Sequence, residues 1–364
     1  MKIDPRRVPL MAAAAASLAA AVWGGILRLD WDLPLPPANW ISHHGALMVS
    51  GFLGTLICLE RAVGLGRRWA YAAPLLTALG AGLLLAGPPD RHAPLRITLG
   101  SLGLVVLFGA VLRSQPTLFH AVMAAGAVCW LAGNLLWMSG RPVPELVLWW
   151  AGFLVLTIAG ERLEMTRLLR PGRGVQAAFL LAASLFLSGA CWAPWAETGG
   201  QRLAGAGLLA LALWLFRHDI ARRTVSQAGL PRFVAICLLC GYAWLGMAGV
   251  LAMALAPVRY GFGYDAVLHA VFLGFVMSMI FGHAPIVLPA VLKVDLPYRP
   301  RFYVHLAALH GSLALRVAGD LGSWNGVRAW GGMLNAAAVL LFLVSSAGSA
   351  IQAKRLLPDP HPDA

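Results

Sequence analysis

The sequence predicts an all-α, polytopic integral membrane protein of about twelve transmembrane helices, and three observations lead to that prediction. Apolar residues make up 59% of the 364 residues and charged residues only 12%, whereas soluble domains carry about 25% charged residues. Apolar runs of about 20 residues, the length that crosses a bilayer, recur from one end of the chain to the other. Basic residues are divided unequally between alternate connections. Since no stretch is left for a separate soluble core, we expect residues 1–364 to form a single transmembrane helical domain.

The predicted helices follow from the apolar runs and from the Pro and Gly residues that separate many of them. They cover residues 8–29, 41–62, 70–87, 94–112, 117–138, 143–161, 176–194, 201–216, 231–256, 265–290, 302–319 and 329–351. The first run resembles a signal peptide because Lys2, Arg6 and Arg7 precede it. Its apolar stretch is long for a signal peptide, so we interpret it as the first helix. No sequence repeat of 20 to 50 residues is evident.

The basic residues predict the orientation of the chain. Of the 28 Lys and Arg residues, 20 lie in connections on the side of the N-terminus. The other eight are Arg28, Arg91, Arg96, Arg141, Arg202, Arg259, Arg316 and Arg328. Because positive connections stay in the cytoplasm, both termini are predicted to be cytoplasmic. The net charge of +13 comes from short clusters between apolar runs, which suits anionic lipid headgroups, so we expect the bilayer as a partner and no nucleic acid.

Seven of the ten histidines lie within predicted helices, where polar side chains are costly and usually functional. They are His43, His44, His120, His269, His283, His305 and His310. Any one of them could simply form a hydrogen bond with a neighbouring helix. As a set they favour the ligation of haem or a metal ion, because imidazole is the commonest neutral ligand of iron, copper and zinc.

The predicted topology assigns a depth to each of these histidines. His43, His44 and His269 fall near the outer surface, His310 near the middle, and His120, His283 and His305 in the inner half. His269 and His283 lie on one helix, 14 residues or roughly 21 Å apart, so one metal ion cannot bind both. The sequence therefore predicts two polar sites stacked across the membrane, one outer and one inner.

Other polar residues and cysteines within the predicted helices have simpler interpretations. Arg316 and Asp320 are four residues apart, which predicts an internal ion pair, although an Arg near the outer end would also suit a haem propionate. Asp265 is positioned to balance the charge of an outer metal centre. Cys237 and Cys240 place two small side chains on one helix face, which predicts packing rather than a redox pair.

At these residues the chain resembles the NnrS family, bacterial inner-membrane proteins of about twelve helices that bind haem and copper and are linked to nitric oxide metabolism. The resemblance is carried by Trp40, His43-His44 and Gly51-Phe52, by Gly160-Glu161-Arg162, and by Leu268-His269, Gly274 and Gly282-His283. It implies an inner-membrane location and haem or copper, or both, as cofactors. By this resemblance His44, His269 and His283 are the metal ligands.

Two classes of function stay open at this stage. The first is a haem- or copper-binding membrane protein that handles a diatomic gas or accepts electrons from a donor; it includes a relative of the haem-copper oxidases, although the expected mid-chain His-His pair and H-P-E motif are absent. The second is a secondary transporter that uses buried histidines, against which the helices contain few Asp and Glu residues. The sequence predicts no catalytic residue.

Overall fold

The computed structural model describes residue 4 and residues 7–36, 40–87 and 91–356. Helix accounts for 85% of the described residues, among which there is no strand. Its long helices are α1 Val8–Leu27, α2 Trp40–Leu65, α3 Arg68–Ala86, α4 His92–Ser114, α5 Leu118–Met138, α6 Val143–Leu169, α7 Arg173–Trp192, α8 Glu197–His218, α9 Leu230–Leu255, α10 Gly261–Leu292, α11 Phe302–Leu321 and α12 Asn325–Leu356. The all-α fold is therefore confirmed.

Eleven of these helices, all except α11, are long and apolar enough to cross a membrane. Helix α11 has 20 residues but carries His305, His310, Arg316 and Asp320, which lower its hydropathy. His305, Arg316 and Asp320 are buried, because this helix turns its polar side chains toward its neighbours in the bundle. Several other helices are longer than predicted. The prediction ended α6 at residue 161 because the turns that follow are polar, whereas the helix continues to residue 169.

Helices α2, α6 and α10 form the centre of the bundle. Between 61% and 67% of the apolar stretch of each central helix is buried, against 33% to 50% for the other apolar helices. The remaining nine surround them, and α4 packs on α5, α8 on α9 and α12 on α1. The central helices are thus the second, sixth and tenth, so that along the sequence the chain divides into three four-helix units, α1–α4, α5–α8 and α9–α12, each with its second helix at the centre.

The three central helices share a sequence pattern that supports this division. Gly-Phe-Leu at residues 51–53, Gly-Phe-Leu at 152–154 and Gly-Phe-Val at 274–276 are each followed by an ionisable residue nine positions after the Gly. These residues are Glu60, Glu161 and His283. The pattern recurs at intervals of more than 100 residues, well above the 20 to 50 residues over which no repeat is evident.

Two of the central helices are locally widened. Leu47–Gly54 in α2 and Ala270–Met277 in α10 are π-helical, with eight residues each, whereas the corresponding part of α6 is regular α-helix. Each π-helical segment follows a histidine. The segment in α2 begins three residues after His44, and the segment in α10 begins directly after His269. Such segments are rare and are found frequently at functional sites.

Candidate functional site

A cavity of about 290 Å³ opens at the end of the bundle where α2 and α10 begin, which we call the cavity end. Its walls come from α1, α2, α6, α10, α11 and α12. Helix α6 contributes Val147 and Trp150, and α10 contributes Phe272, so that much of the wall is apolar. Polar groups converge from the other helices, and they include two of the predicted histidines, His44 and His269.

His44 is held against α1 by a hydrogen bond and by close packing. Its Nδ1 lies 2.6 Å from the carbonyl oxygen of Ala21. Because a carbonyl can only accept, Nδ1 carries the proton and Nε2 of the neutral ring keeps a lone pair. Gly25 leaves the space that the ring occupies, since a Cβ at this position would lie 2.8 Å from Cε1 of His44. Helix α1 therefore fixes both the orientation and the tautomer of this imidazole.

His269 has the same arrangement on α10. Its Nδ1 lies 2.8 Å from the carbonyl oxygen of Asp265, and Oδ1 of the Asp265 carboxylate is 3.4 Å away. Nε2 again keeps a lone pair and makes no hydrogen bond within the described residues. His44 and His269 interact electrostatically across the cavity that they both line. Two neutral imidazoles from facing helices therefore converge there.

Charged groups at the cavity carry an excess of positive charge. Oδ2 of Asp265 accepts hydrogen bonds from Arg316 at 2.7 Å and from Arg328 at 3.1 Å. Nε of Arg328 also lies 2.9 Å from Oδ1 of Asp320, whose side chain is completely buried. Arg28 lines the cavity as well, so three guanidinium groups face it with Asp265 as the single lining carboxylate. The sequence predicts that Arg316 pairs with Asp320. In the structure Arg316 pairs instead with Asp265 of α10, and Asp320 pairs with Arg328 of α12.

His283 lies at the other end of α10, near the ends of α2 and α6, which we call the basic end. Its Nδ1 lies 2.7 Å from the carbonyl oxygen of Met279, so it repeats the geometry of His44 and His269. Its electrostatic neighbours are Glu161 and Arg162 of α6. Glu161 in turn forms an ion pair with Arg61 of α2. The structure therefore separates His283 from the cavity, as the 14-residue spacing predicts.

The other predicted histidines have structural partners or lie outside the cavity lining. His310 receives a hydrogen bond from Nε1 of Trp244 at 3.0 Å, and its Nε2 lies 3.3 Å from the hydroxyl of Ser278. His305 is 1% exposed and packs among aromatic rings, of which Phe281 is 5.0 Å away between centroids. His120 lies in the first turn of α5, beside the hydroxyl of Thr117. His43 is absent from the lining of the cavity in the described part of the chain.

Several lining residues were not predicted from the sequence. Met48 and Met277 place thioethers at the cavity, and Gly25 provides room for the His44 ring. Met48 lies four residues after His44, one helical turn, which was a usable signal. Among the described residues, no group of three or more His, Cys, Asp or Glu side chains converges as a metal-ion site. The cavity therefore offers a pair of histidines rather than a complete set of such ligands for a bare ion.

These features define a class, an all-α bundle whose central helices enclose a cavity lined by two histidines and three arginines. The chain belongs to the family described as Domain of unknown function (DUF8744), whose model matches residues 7–351. No curated protein matches the chain. Because the family description assigns no function, the resemblance to NnrS proteins stays a prediction.

Proposed function

We propose that this is a multi-pass haem protein of the bacterial inner membrane, with the cavity end facing the periplasm and both termini in the cytoplasm. The eleven apolar helices support the membrane assignment. So do large apolar side chains on the outer helices, such as Leu181, Leu340 and Val344, which are 60% to 70% exposed. Their exposure is unfavourable in water and favourable in lipid. The unequal distribution of Lys and Arg supports the orientation.

The paired imidazoles of His44 and His269 are the observation that carries the haem proposal. A haem iron takes axial ligands from opposite faces of the ring, and neutral histidine is a common choice. Nδ1 of each histidine is bonded to a backbone carbonyl, which is the arrangement that orients a metal-ligating imidazole and raises its basicity. Their Nε2 lone pairs belong to facing helices around one cavity. We assign His44 and His269 as the residues that would hold the haem iron.

The charge of the cavity fits the same group. Arg28, Arg316 and Arg328 exceed the single lining carboxylate, Asp265, and a haem carries two propionates that pair well with guanidinium groups. A bare metal cation would be repelled by the same arginines. Copper is the second candidate, because Met48, one helical turn after His44, adds a thioether that suits Cu(I) to the two histidines. The three arginines favour haem over copper at this cavity.

Two histidine ligands also indicate which chemistry the protein carries out. When bound, haem supplies one-electron reduction and oxidation, with a potential that depends on its ligands and on the burial of the site. Because His44 and His269 would both hold the iron, a diatomic gas would have to displace one of them. We therefore favour electron transfer over gas binding, and a role in nitric oxide metabolism rests on the NnrS resemblance alone.

An absorption spectrum of the purified protein in detergent tests the proposal. We expect a Soret band, sharp reduced-state bands of a six-coordinate haem, and little change when carbon monoxide is added to the reduced protein. His44→Ala and His269→Ala should each lose most of the haem, whereas the adjacent control His43→Ala should keep it. A folded wild-type protein without haem would refute the proposal, and copper in its place would support the second candidate.

A further inference from the structure

A second concavity, of about 420 Å³, lies at the basic end, far from the cavity of the histidine pair. It forms where the segment after α8 folds against the end of α6 and the start of α7. Four basic side chains line it, Arg217, His218, Arg222 and Arg223. We call it the arginine pocket.

The local fold builds this pocket from a short stretch of sequence. Oδ1 of Asp219 accepts a hydrogen bond of 2.7 Å from the backbone N–H of Ala221, which starts the single-turn helix Ala221–Thr224. This turn carries Arg222 and Arg223 side by side. A guanidinium nitrogen of Arg222 lies 3.4 Å from the carbonyl oxygen of Arg217, so the turn folds back over the end of α8. The arginines are thus held together by a defined turn.

The pocket has more positive than negative charge. Asp219 is its single acidic lining residue and is 2% exposed, and Arg162 of α6 interacts with it from inside the bundle. Burial raises the pKa of the Asp219 carboxyl. Within the described residues, Arg217, Arg222 and Arg223 form no ion pair with a carboxylate. Three exposed guanidinium groups are therefore available to an anion.

Apolar surface continues from the pocket along the outside of the bundle. Leu213 lies one helical turn before Arg217, on the same face of α8, and is 60% exposed. Leu168, next to the pocket residue Leu169, is 69% exposed. A ligand that fits both surfaces has an anionic head and an apolar chain, which a free phosphate ion lacks.

We propose that the arginine pocket binds the phosphate of an anionic phospholipid, with the headgroup among Arg217, Arg222 and Arg223 and an acyl chain along Leu213. The phosphate accepts charge-assisted hydrogen bonds from the guanidinium groups. This assignment is independent of the haem, and it requires only that the basic end lies at a membrane surface.

Lipid binding to the delipidated full-length protein in detergent, measured by native mass spectrometry, tests the proposal. We expect phosphatidylglycerol to bind more tightly than phosphatidylcholine. Arg222→Gln/Arg223→Gln should weaken phosphatidylglycerol binding about thirtyfold, the equivalent of about 1 kcal/mol for each arginine near the headgroups. The matched control is Arg67→Gln/Arg68→Gln, an exposed arginine pair at the start of α3 on the same end of the bundle, which should leave the affinity unchanged.

Three results would overturn the assignment. Equal weakening in the control would mean that general surface charge, and not this pocket, attracts the lipid. Equal binding of phosphatidylcholine would mean that the pocket does not select an anion. Displacement of phosphatidylglycerol by inorganic phosphate at equal concentration would identify a free-anion site. Circular dichroism of each variant confirms that the helices are intact, and Arg217→Gln provides a third, milder change at the same pocket.

Discussion

Gly25→Ala is the sharpest test of the histidine pair, because it changes neither proposed ligand. The new Cβ would lie 2.8 Å from Cε1 and 3.0 Å from Nδ1 of His44, so the ring must move by about 0.6 Å to reach an ordinary contact of 3.4 Å. That movement disturbs the 2.6 Å hydrogen bond from Nδ1 to Ala21 that orients the imidazole. Loss of such an orienting contact typically reduces metal affinity about 10- to 100-fold.

The assay is haem retention and affinity, measured by titrating haem into the apoprotein and following the Soret band. We expect Gly25→Ala to bind haem about 10- to 100-fold more weakly and to show an altered low-spin spectrum. The control is Gly109→Ala in α4, where a Cβ meets nothing within 4 Å and the helix gains about 0.5–1 kcal/mol from the loss of a glycine. Unchanged affinity and an unchanged spectrum in Gly25→Ala would refute the assignment of His44 as a ligand oriented by α1.

Three further predictions test the charge network, the separation of the two histidine sites and the topology. Arg328→Leu leaves the buried Asp320 carboxylate without its ion pair and should destabilise the protein by about 3–5 kcal/mol, whereas adding Asp320→Asn should recover part of that loss. Thermal unfolding in detergent measures both effects, and an unchanged stability in Arg328→Leu would contradict the buried ion pair. His283→Ala should leave the haem spectrum intact, since His283 lies at the basic end, where its electrostatic neighbours are Glu161 and Arg162; loss of the same haem as in His44→Ala would instead mean one shared site. Reporter fusions after residues 68, 173, 223 and 300 should be cytoplasmic and those near 35, 91, 198 and 261 periplasmic, and two reversed reporters would disprove the helix count.

The sequence was sufficient to predict the helices and the end of the bundle at which each histidine lies. The helices follow from the length of the apolar runs, and the ends follow from counting alternate crossings. It was less informative about which charged side chains pair with one another. Arg316 and Asp320 are one turn apart on α11, yet their nearest charges are Asp265 and Arg328 on other helices, since lateral packing decides which side chains meet. The sequence also does not indicate that His310 has structural partners, Trp244 and Ser278, on two other helices.

All three central helices line the cavity, and the differences between the three units explain why only α2 and α10 supply histidines to it. Each central helix has the same glycine pattern, but the first and third units carry a histidine and a π-helical segment near the cavity end, whereas α6 has neither and contributes Val147 and Trp150 as wall. The first and third units therefore each provide one imidazole to the cavity, and the second unit provides an apolar wall. At the basic end the third unit differs again, with His283 where the others have Glu60 and Glu161. The two histidines that we propose as haem ligands therefore lie where the first and third units differ from the second.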